Sequence, residues 1–359
     1  MTASNDSTAV REGEELDSAS LEAYLRNTLS LDSGTSNHSL EIQQFPGGHS
    51  NLTYLIRYND SEYVLRRPPV GPVAPTAHDM PREYRLLSVI NPRFPLAPKP
   101  ILLCEDSAVI GVPFYLMEHR RGLIVRSKLP DQLQDDPALR RRLSESVIDT
   151  LVGLHAVDIH SSGIISMGKP EGFVNRQVRG WADRWQRSKT AELAEMDQVI
   201  DWLMTRIPAE TLLDATVVHN DFKLDNLMLD VDDPARVVAV LDWEMCAMGD
   251  PLIDVGLLLS YWTMSGGGEE NSSLRAITHG PGWFTREEII ERYEKATGRN
   301  LGQIAFYETF ARFKVAVVIQ QIYFRFVKGQ TKDQRFQHFD LLVNELTRDA
   351  LQLARSSGI

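Results

Sequence analysis

The sequence predicts an α+β fold of two lobes, in which a small antiparallel β-sheet lobe precedes a larger, mainly α-helical lobe. Between residues 39 and 67, apolar and polar residues alternate in short runs separated by turn residues, which is typical of antiparallel strands, and two further strand-like runs follow before residue 118. Beyond His119, apolar residues recur mainly at helical spacing. A length of 359 residues suits two domains. We therefore predict a flexible tail over 1–17, an N-terminal lobe over 18–118 and a C-terminal lobe over 119–359.

The predicted N-terminal lobe is a small antiparallel sheet with one helix, preceded by a short amphipathic helix. The first helix starts near Ser20, where apolar residues recur on one face. Gly47–Gly48 and Asn59–Asp60 are turn signals between strands. The strands are predicted at 39–45, 51–58, 62–67, 99–104 and 114–118, and the second helix at 80–90.

The predicted C-terminal lobe is dominated by helices. Thr285 and Glu288 have the spacing of a capping box, and Gly298 is a typical residue at the end of a helix. The helices are predicted at 138–157, 192–206, 252–262, 286–297, 301–328 and 334–355, and two short strands at 216–219 and 237–242.

Composition and charge exclude several classes of protein. Lys and Arg number 38 against 49 Asp and Glu, and the resulting net charge of −11 argues against a nucleic-acid-binding or basic membrane-surface protein. The two cysteines, Cys104 and Cys246, are too few for a disulfide framework or a cysteine zinc site. The first 20 residues resemble no signal peptide, and no apolar run approaches the roughly 20 residues that span a bilayer. We expect a soluble, cytoplasmic protein.

The residues that indicate chemistry follow the two short strands of the C-terminal lobe. One strand leads to Asp221, Asn226 comes five residues later, and the second strand leads to Asp242. Phosphoryl transfer from ATP depends on positioning and charge neutralisation, with a carboxylate near the attacking hydroxyl and oxygen ligands for Mg²⁺. These three side chains are of the required types, and Lys223 could reach the γ-phosphate. These residue types and their order are those that phosphoryl transfer from ATP requires.

Several motifs together resemble one enzyme family. The loop 219–226 resembles the H-x-D-x-K-x-x-N catalytic loop of protein kinases, and LDWE at 241–244 stands where those enzymes have D-F-G. GGHSNLTYLI before this loop and GDPLIDVG after it resemble the aminoglycoside phosphotransferase (APH)/choline kinase-like branch of the protein-kinase-like superfamily. Within that branch, the sequence is most similar to the kinase-like domain fused to, or encoded beside, acyl-CoA dehydrogenases. The resemblance covers about residues 35–345 and implies a bilobal protein-kinase-like fold, with MgATP bound in its cleft and an alcohol group as acceptor.

The resemblance also implies roles for individual residues. Asp221 matches the catalytic base and Lys223 lies close to it, while Asp254 would brace the loop by accepting backbone N–H bonds. Asn226 and Asp242 match the two magnesium ligands, and Glu244 would touch a metal directly or through water. The turn that covers the phosphates matches Gly47, Gly48, Ser50 and Asn51.

Two further parts of the nucleotide site follow from the resemblance. Arg66 or Arg67 occupies the position of the phosphate-binding lysine, and the strand register of YVLR favours Arg66, with Glu83 as its ion-pair partner. Arginine keeps the charge and can bind phosphate with two bonds, although it is bulkier than lysine. The stretch 114–119, which includes Glu118, would form the hinge whose backbone meets adenine.

Alternatives remain open at the level of the sequence. Gly47–Gly48 alone would be an ordinary hairpin turn, and His219 is expected to have a structural role. A nucleotide-binding pseudokinase or regulatory module, a true aminoglycoside kinase and a metal-dependent hydrolase are the competing functions.

The acceptor is indicated only by one basic stretch. Residues 173–189 contain five basic residues against one aspartate, with two tryptophans between them. They form either a helix with a solvated basic face or a surface for an anionic substrate, such as a hydroxyacyl-CoA, a carboxylate or a sugar phosphate. Aminoglycosides are polycations, so we expect them to be poor acceptors. The expected partner is a small, anionic hydroxyl compound, with a functional link to acyl-CoA dehydrogenases.

Overall fold

A computed structural model describes residues 7–29, 39–46, 51–69, 78–126, 128–209, 214–263, 277–331 and 333–359. The chain has the predicted α+β composition and divides into two compact units. Unit 1 contains residues 1–123, 227–233 and 237–244, and unit 2 contains the rest. The predicted turn residues Gly47, Gly48 and Ser50 lie outside the described residues.

Each predicted helix and strand is present, with bounds that differ by a few residues. The strands are β1 (Leu40–Gln44), β2 (Leu52–Tyr58), β3 (Ser61–Arg67), β4 (Pro100–Cys104), β5 (Phe114–Glu118), β6 (Leu123–Ile124), β7 (Thr216–Val218), β8 (Leu227–Leu229), β9 (Val237–Val240) and β10 (Ala247–Gly249). The helices are α1 (Ser18–Thr28), α2 (Met80–Ile90), α3 (Ser107–Ile110), α4 (Asp131–Gln134), α5 (Pro137–His155), α6 (Phe173–Ser188), α7 (Ala194–Thr205), α8 (Leu252–Thr263), α9 (Arg286–Thr297), α10 (Ile304–Val327) and α11 (Phe339–Ser356).

Unit 1 is built on a five-stranded antiparallel sheet of order β1-β2-β3-β5-β4. Its central strand, β3, pairs with β2 and β5 and places Arg66 between Thr53 and Tyr115. One face of the sheet packs with α1 in an apolar cluster that includes Leu21, Leu25 and Phe114. Since successive side chains of a strand point to opposite faces, Arg66 and Arg67 leave β3 on different sides.

Part of the segment predicted as a tail contacts this sheet. The backbone groups of Thr8 and Gln44 exchange two hydrogen bonds of 2.8 Å, and the carbonyl of Glu14 accepts from the Tyr54 hydroxyl. Asp17 then caps α1 by accepting from the Ser20 N–H. Residues 7–17 therefore belong to the sheet lobe rather than to a flexible tail. The sequence did not indicate this, because the segment is polar and has no long apolar run.

Unit 2 is organised around α10, which packs against α6, α7, α8 and α11. Most of α10 from Ile304 to Gln320 is buried, so its apolar residues cover nearly the whole circumference. Gly256 allows α8 to approach closely, because a Cβ atom there would lie 2.6 Å from the Tyr307 carbonyl oxygen. The capping box of Thr285 and Glu288 is present at the start of α9, as predicted.

Two element bounds differ from the prediction for local reasons. The strand predicted at 237–242 ends at Val240, because Asp242 has a φ of 64° in the left-handed region. The last helix begins at Phe339 rather than at 334, because Asp333 caps a separate 3₁₀ turn over Gln334–Phe336. Among the described residues, no helix combines the length and apolar character needed to cross a membrane.

Candidate functional site

The loop after β7 carries the predicted catalytic residues of unit 2. His219 is fully buried, and its Nδ1 accepts a hydrogen bond of 3.3 Å from the Asp221 backbone N–H. Asn220 has a φ of 65°, and its side chain donates to the Met245 carbonyl at 3.0 Å. Left-handed backbone at a residue other than glycine is uncommon, although asparagine tolerates it best. The expected structural role of His219 is confirmed.

Asp254, in the first turn of α8, anchors this loop as predicted. Its two carboxylate oxygens accept hydrogen bonds of 2.6 Å from the His219 N–H and 2.7 Å from the Asn220 N–H. The ring of His155 lies 3.3 Å from the same carboxylate and 2.7 Å from the Tyr293 hydroxyl. Asp254 is fully buried, so these hydrogen bonds replace the solvation of its carboxylate. The backbone next to Asp221 is therefore held by a buried network, in which His155 has a structural role.

The Asp221 carboxylate is oriented by two neighbours. Its Oδ2 lies 3.2 Å from the Lys223 Nζ and accepts a 2.8 Å bond from the Asn226 amide nitrogen, which also donates to the Asp221 carbonyl. In this orientation, the amide oxygen is the atom through which Asn226 would hold a metal. The structure thus brings Asp221, Lys223 and Asn226 together.

Lys223 lies in a polar environment that favours its charged form. Burial alone would lower the pKa of Lys223, but Tyr261, Asp221 and Asp225 raise it above its ordinary value. The Nζ lies 3.8 Å from Asp225 and 4.9 Å from the centre of the Tyr261 ring. Burial raises the pKa of Asp225 and takes that of Tyr261 to about 12. Lys223 is therefore a cation fixed beside Asp221.

Lys314, on α10, is a second lysine at this loop. It is 4% exposed, and its ammonium group donates a hydrogen bond to the Asn220 carbonyl. Burial lowers the pKa of Lys314 to about 8, although Asp221 and Asp254 act in the opposite direction. The sequence analysis did not identify this residue; the available signal was a lysine directly before the apolar run 315–319.

Unit 1 contains a second group of predicted site residues around Arg66. The Arg66 Nε lies 3.5 Å from Glu83 Oε1, in the ion pair that the sequence predicts, and its Nη2 lies 3.2 Å from Asp242 Oδ1. Tyr115 donates a hydrogen bond of 2.8 Å to Glu83. Burial would lower the pKa of Arg66, but Glu83, Tyr115, Asp242 and Glu244 raise it. Burial also raises the pKa of Glu83, although Arg66 lowers it.

Asn51 and Glu244 complete the group in unit 1. The Asn51 amide nitrogen donates to Glu244 Oε2 at 2.6 Å, and its amide oxygen lies 2.7 Å from His78 Nδ1. Glu244 Oε2 is also 3.6 Å from Arg66 Nη2. Burial and the nearby Arg66 charge lower the pKa of His78, which the sequence analysis did not single out. Four predicted residues therefore lie around Arg66, namely Asn51, Glu83, Asp242 and Glu244.

The two arginines of β3 have different surroundings. Arg67 donates hydrogen bonds to the Tyr54 hydroxyl and to the Glu14 carbonyl, and it lies over the Tyr54 ring. Arg66 faces the carboxylates of Asp242 and Glu244 instead. The geometry therefore favours Arg66 as the residue at the position of the phosphate-binding lysine.

Glu118 lies at the end of β5, apart from the Arg66 group. Its carboxylate accepts hydrogen bonds from the Lys99 N–H at 2.7 Å and from Arg120 at 2.8 Å. Its backbone N–H donates to the Lys99 carbonyl at 2.9 Å. Any contact of Glu118 with adenine would therefore have to use its carbonyl oxygen.

The fold and these two residue groups define an enzyme of the kinase-like phosphotransferase class. The phosphotransferase enzyme family (APH) matches the chain over residues 41–289. The chain therefore belongs to this family, whose members transfer phosphate to hydroxyl groups.

Individual relatives agree with this assignment. Human acyl-CoA dehydrogenase family member 11 is 33% identical over 365 residues, which cover 99% of this chain and 45% of that protein. The chain thus spans less than half the length of this relative. A solved structure from Ralstonia eutropha, described as a putative aminoglycoside phosphotransferase, has a TM-score of 0.78 at 29% identity and covers 95% of this chain and 99% of its own. Aminoglycoside phosphotransferase APH(4)-Ia, solved with AMP-PNP and hygromycin B, shares the fold at a TM-score of 0.58 and 16% identity, with 94% of this chain and 99% of its own covered.

Proposed function

We propose that this chain transfers the γ-phosphate of MgATP to a hydroxyl group of a small, anionic acceptor. The observation that carries the proposal is the fixed Asp221 carboxylate, with Lys223 and Asn226 on its Oδ2 and Asp254 anchoring the backbone before it. Family membership and the Arg66 group of unit 1 support it.

Asp221 acts as the base in this reaction. The acceptor oxygen forms a bond to the γ-phosphorus, the bond from that phosphorus to the bridging oxygen of ADP breaks, and the hydroxyl proton passes to the Asp221 carboxylate. Lys223 stabilises negative charge beside the base, since its surroundings keep it protonated. The network of His219 and Asp254 holds the backbone, so little reorganisation is needed when the acceptor binds.

Arg66 and Asp242 serve the nucleotide. The Arg66 guanidinium, held by Glu83, is suited to bind phosphate oxygens with two hydrogen bonds. Asp242, Glu244 and Asn226 offer oxygen ligands of the kind that magnesium prefers, and magnesium in such sites takes one or two carboxylates together with phosphate oxygens. The oxygen atoms of these residues are therefore suitable donors for magnesium. A bound magnesium ion would neutralise negative charge on the phosphates.

A cavity of unit 2 is suited to the acceptor. It has a volume of about 300 Å³, and its polar lining includes Lys223, Arg126, Asp225, Tyr261 and Thr278. Leu258 and Val315 belong to its apolar part. A small molecule with an apolar segment and a negatively charged group would match this lining. A hydroxyacyl-CoA is the acceptor that also agrees with the relatives named acyl-CoA dehydrogenases, and a functional link to such dehydrogenases is part of the proposal.

The experiment that tests the function is a screen of metabolite mixtures with γ-labelled ATP, comparing wild type with Asp221→Asn. We expect magnesium-dependent transfer to a hydroxyl compound, reduced about 10²–10⁴-fold in the variant because the proton acceptor is lost. Nucleotide binding without any transfer would identify a pseudokinase instead. Equal transfer by wild type and Asp221→Asn would contradict the role of Asp221.

A further inference from the structure

The basic stretch over α6 has one member whose surroundings differ from those of the others. Among the described residues, four of its five cations hydrogen-bond or pair with nearby groups: Arg176 with the carbonyls of Lys169 and Glu171, Arg179 with Asn175, Arg187 with the Asp183 carbonyl, and Lys189 with Glu192. Within the same described ranges, the Arg184 guanidinium has no hydrogen bond and no carboxylate within ion-pair distance. These contacts account for four cations of the stretch and leave Arg184 to be explained.

Arg184 shares an aromatic ring with Lys314. The Arg184 Cζ lies 4.5 Å from the centre of the Trp181 ring, and the Lys314 Nζ lies 5.4 Å from the same point. Arg184 is half-buried and Lys314 is buried, so both have lost part of their hydration. Two partly desolvated cations on one indole repel each other, and an anion between or beside them would lower the free energy of the pair.

The position of this pair connects it to the proposed reaction. Lys314 donates its hydrogen bond to the Asn220 carbonyl, directly before Asp221 in the chain. An anionic group held near Lys314 would therefore lie beside the loop that carries Asp221.

We infer that Arg184 and Lys314, gathered on Trp181, form an anion-binding subsite for the acceptor. The subsite binds a carboxylate or phosphate group of the acceptor and directs its hydroxyl towards Asp221. The inference rests on the proposed function for the identity of the bound molecule. Ordinary stacking of Arg184 on Trp181 is the competing explanation, and it predicts no effect on the binding of any ligand.

The test is a calorimetric titration at fixed ionic strength and with saturating MgAMP-PNP, which keeps the probes from the nucleotide site. The probes are 3-hydroxybutyrate, its CoA thioester, and its uncharged pantetheine thioester. The proteins are wild type, Arg184→Gln and the matched control Arg187→Gln, whose arginine is exposed on the same helix and bonds to a backbone carbonyl.

We expect Arg184→Gln to weaken binding of at least one anionic probe about tenfold or more, since hydrogen bonds to charged groups have this strength. Arg187→Gln should bind like wild type, and the uncharged thioester should bind equally to all three proteins. If Arg184→Gln binds the free acid more weakly than wild type does, the carboxylate is the bound group. If it binds only the CoA thioester more weakly, the phosphates of CoA are the bound groups. Unchanged affinity of Arg184→Gln for both anions, or no binding of either anion to wild type, would overturn the inference.

A parallel assay separates failure of the subsite from failure of the proposed function. ATP turnover by wild type, lost in Asp221→Asn, reports the phosphotransferase activity without involving Arg184. Turnover together with no effect of Arg184→Gln on anion binding would reject the subsite alone. Absence of turnover together with a selective loss of anion binding in Arg184→Gln would reject the proposed function and retain an anion site.

Discussion

Arg66 occupies the position at which the family usually has a phosphate-binding lysine, and this difference needs an explanation. Its side chain is 9% exposed and contacts three carboxylates, those of Glu83, Asp242 and Glu244. A lysine has one point charge and could not contact all three with comparable geometry. The arginine is therefore integrated into the site, and its presence does not by itself indicate a loss of activity.

The first prediction concerns this ion-pair group. Arg66→Met should raise the KM for ATP more than tenfold, and it should also lower the free energy of unfolding by about 3–5 kcal/mol, since Glu83 would be left buried without its cation. Initial-rate kinetics and denaturant unfolding measure the two effects. The double variant Arg66→Met/Glu83→Gln is the control, because it should recover much of the stability but not the KM. A wild-type KM in Arg66→Met would contradict a phosphate-binding role.

Lys314 provides a prediction about pH. The charged and titratable groups that face Lys314 are Asp221, Asp254, Lys223 and Arg184. The effect of burial is larger than the effects of these charges, and it lowers the pKa of Lys314 to about 8. Lys314 is therefore protonated at pH 7 and loses its charge as the pH rises through about 8. We expect the affinity for an anionic acceptor to fall about tenfold between pH 7 and about 9.5, because the subsite loses one positive charge.

Lys314→Arg is the control for this pH dependence. An arginine stays charged over the whole range, so the pH profile of the affinity of Lys314→Arg for the anionic acceptor should be flatter than that of wild type. Stability gives an independent readout: the unfolded lysine titrates near 10.5, so the unfolded state binds more protons between about pH 8 and 10.5. The lysine's contribution to the free energy of unfolding should therefore rise with pH in that window, relative to Lys314→Met. If the affinity and the free energy of unfolding depend on pH in the same way in wild type and in Lys314→Met, the lowered pKa of Lys314 is contradicted.

At the scale of elements, the catalytic loop depends on the first turn of α8. The Asp254 carboxylate accepts hydrogen bonds from two consecutive backbone N–H groups, of His219 and Asn220. Both donors lie in the loop after β7, which contains the left-handed residue Asn220. Helix α8 therefore determines where Asp221 is held, and a change at its first turn should be transmitted to the loop.

We predict that Asp254→Asn lowers kcat at least tenfold and reduces the free energy of unfolding by about 1–3 kcal/mol, because an amide offers one acceptor oxygen to two buried donors. Hydrogen exchange should show faster exchange of the His219 and Asn220 amides in the variant. Asp149→Asn is a matched control, since Asp149 is an exposed aspartate on α5 whose ion pair with Arg292 lies on the surface. Wild-type amide protection in Asp254→Asn would show that the loop is held by other contacts.

The elements also show how far the sequence could be interpreted. Alternation of apolar residues predicted the strands β1 to β3, and continuous apolar runs predicted β4 and β5. The preference for Arg66 over Arg67 came from the resemblance of YVLR to the corresponding strand of protein kinases, not from periodicity. The very short strands β8 and β10 have three residues each and leave no periodic signal. Helix α10 is buried nearly all round, so its sequence indicated a helix but could not indicate that Lys314 points to the catalytic loop. Such residues are recognisable only by their neighbours in space.

At the scale of the whole molecule, the chain is acidic but its proposed acceptor site is basic. The net charge of −11 would attract polycations in general, whereas Lys223, Arg126 and the subsite of Arg184 and Lys314 would attract anions. The family name alone suggests aminoglycosides, whereas the basic stretch 173–189 of the sequence already favoured an anionic acceptor. The local cations support the proposal of an anionic acceptor, because charges within about 10 Å of a ligand are the ones that salt screens least.

We therefore predict that the enzyme prefers an anionic acceptor to a polycation, and that kcat/KM for the anion depends on salt. ATP turnover with a hydroxyacyl-CoA should exceed turnover with a kanamycin-type acceptor. The kcat/KM for the hydroxyacyl-CoA should fall several-fold between about 0.1 M and 1 M salt, as the Debye length shrinks from roughly 10 Å to 3 Å. The uncharged pantetheine thioester of the same hydroxy acid is the control, and its kcat/KM should change little. Robust turnover of the polycation alone would show that acidic groups of the chain select the acceptor. A kcat/KM for the anion that is independent of salt would contradict selection by the local cations.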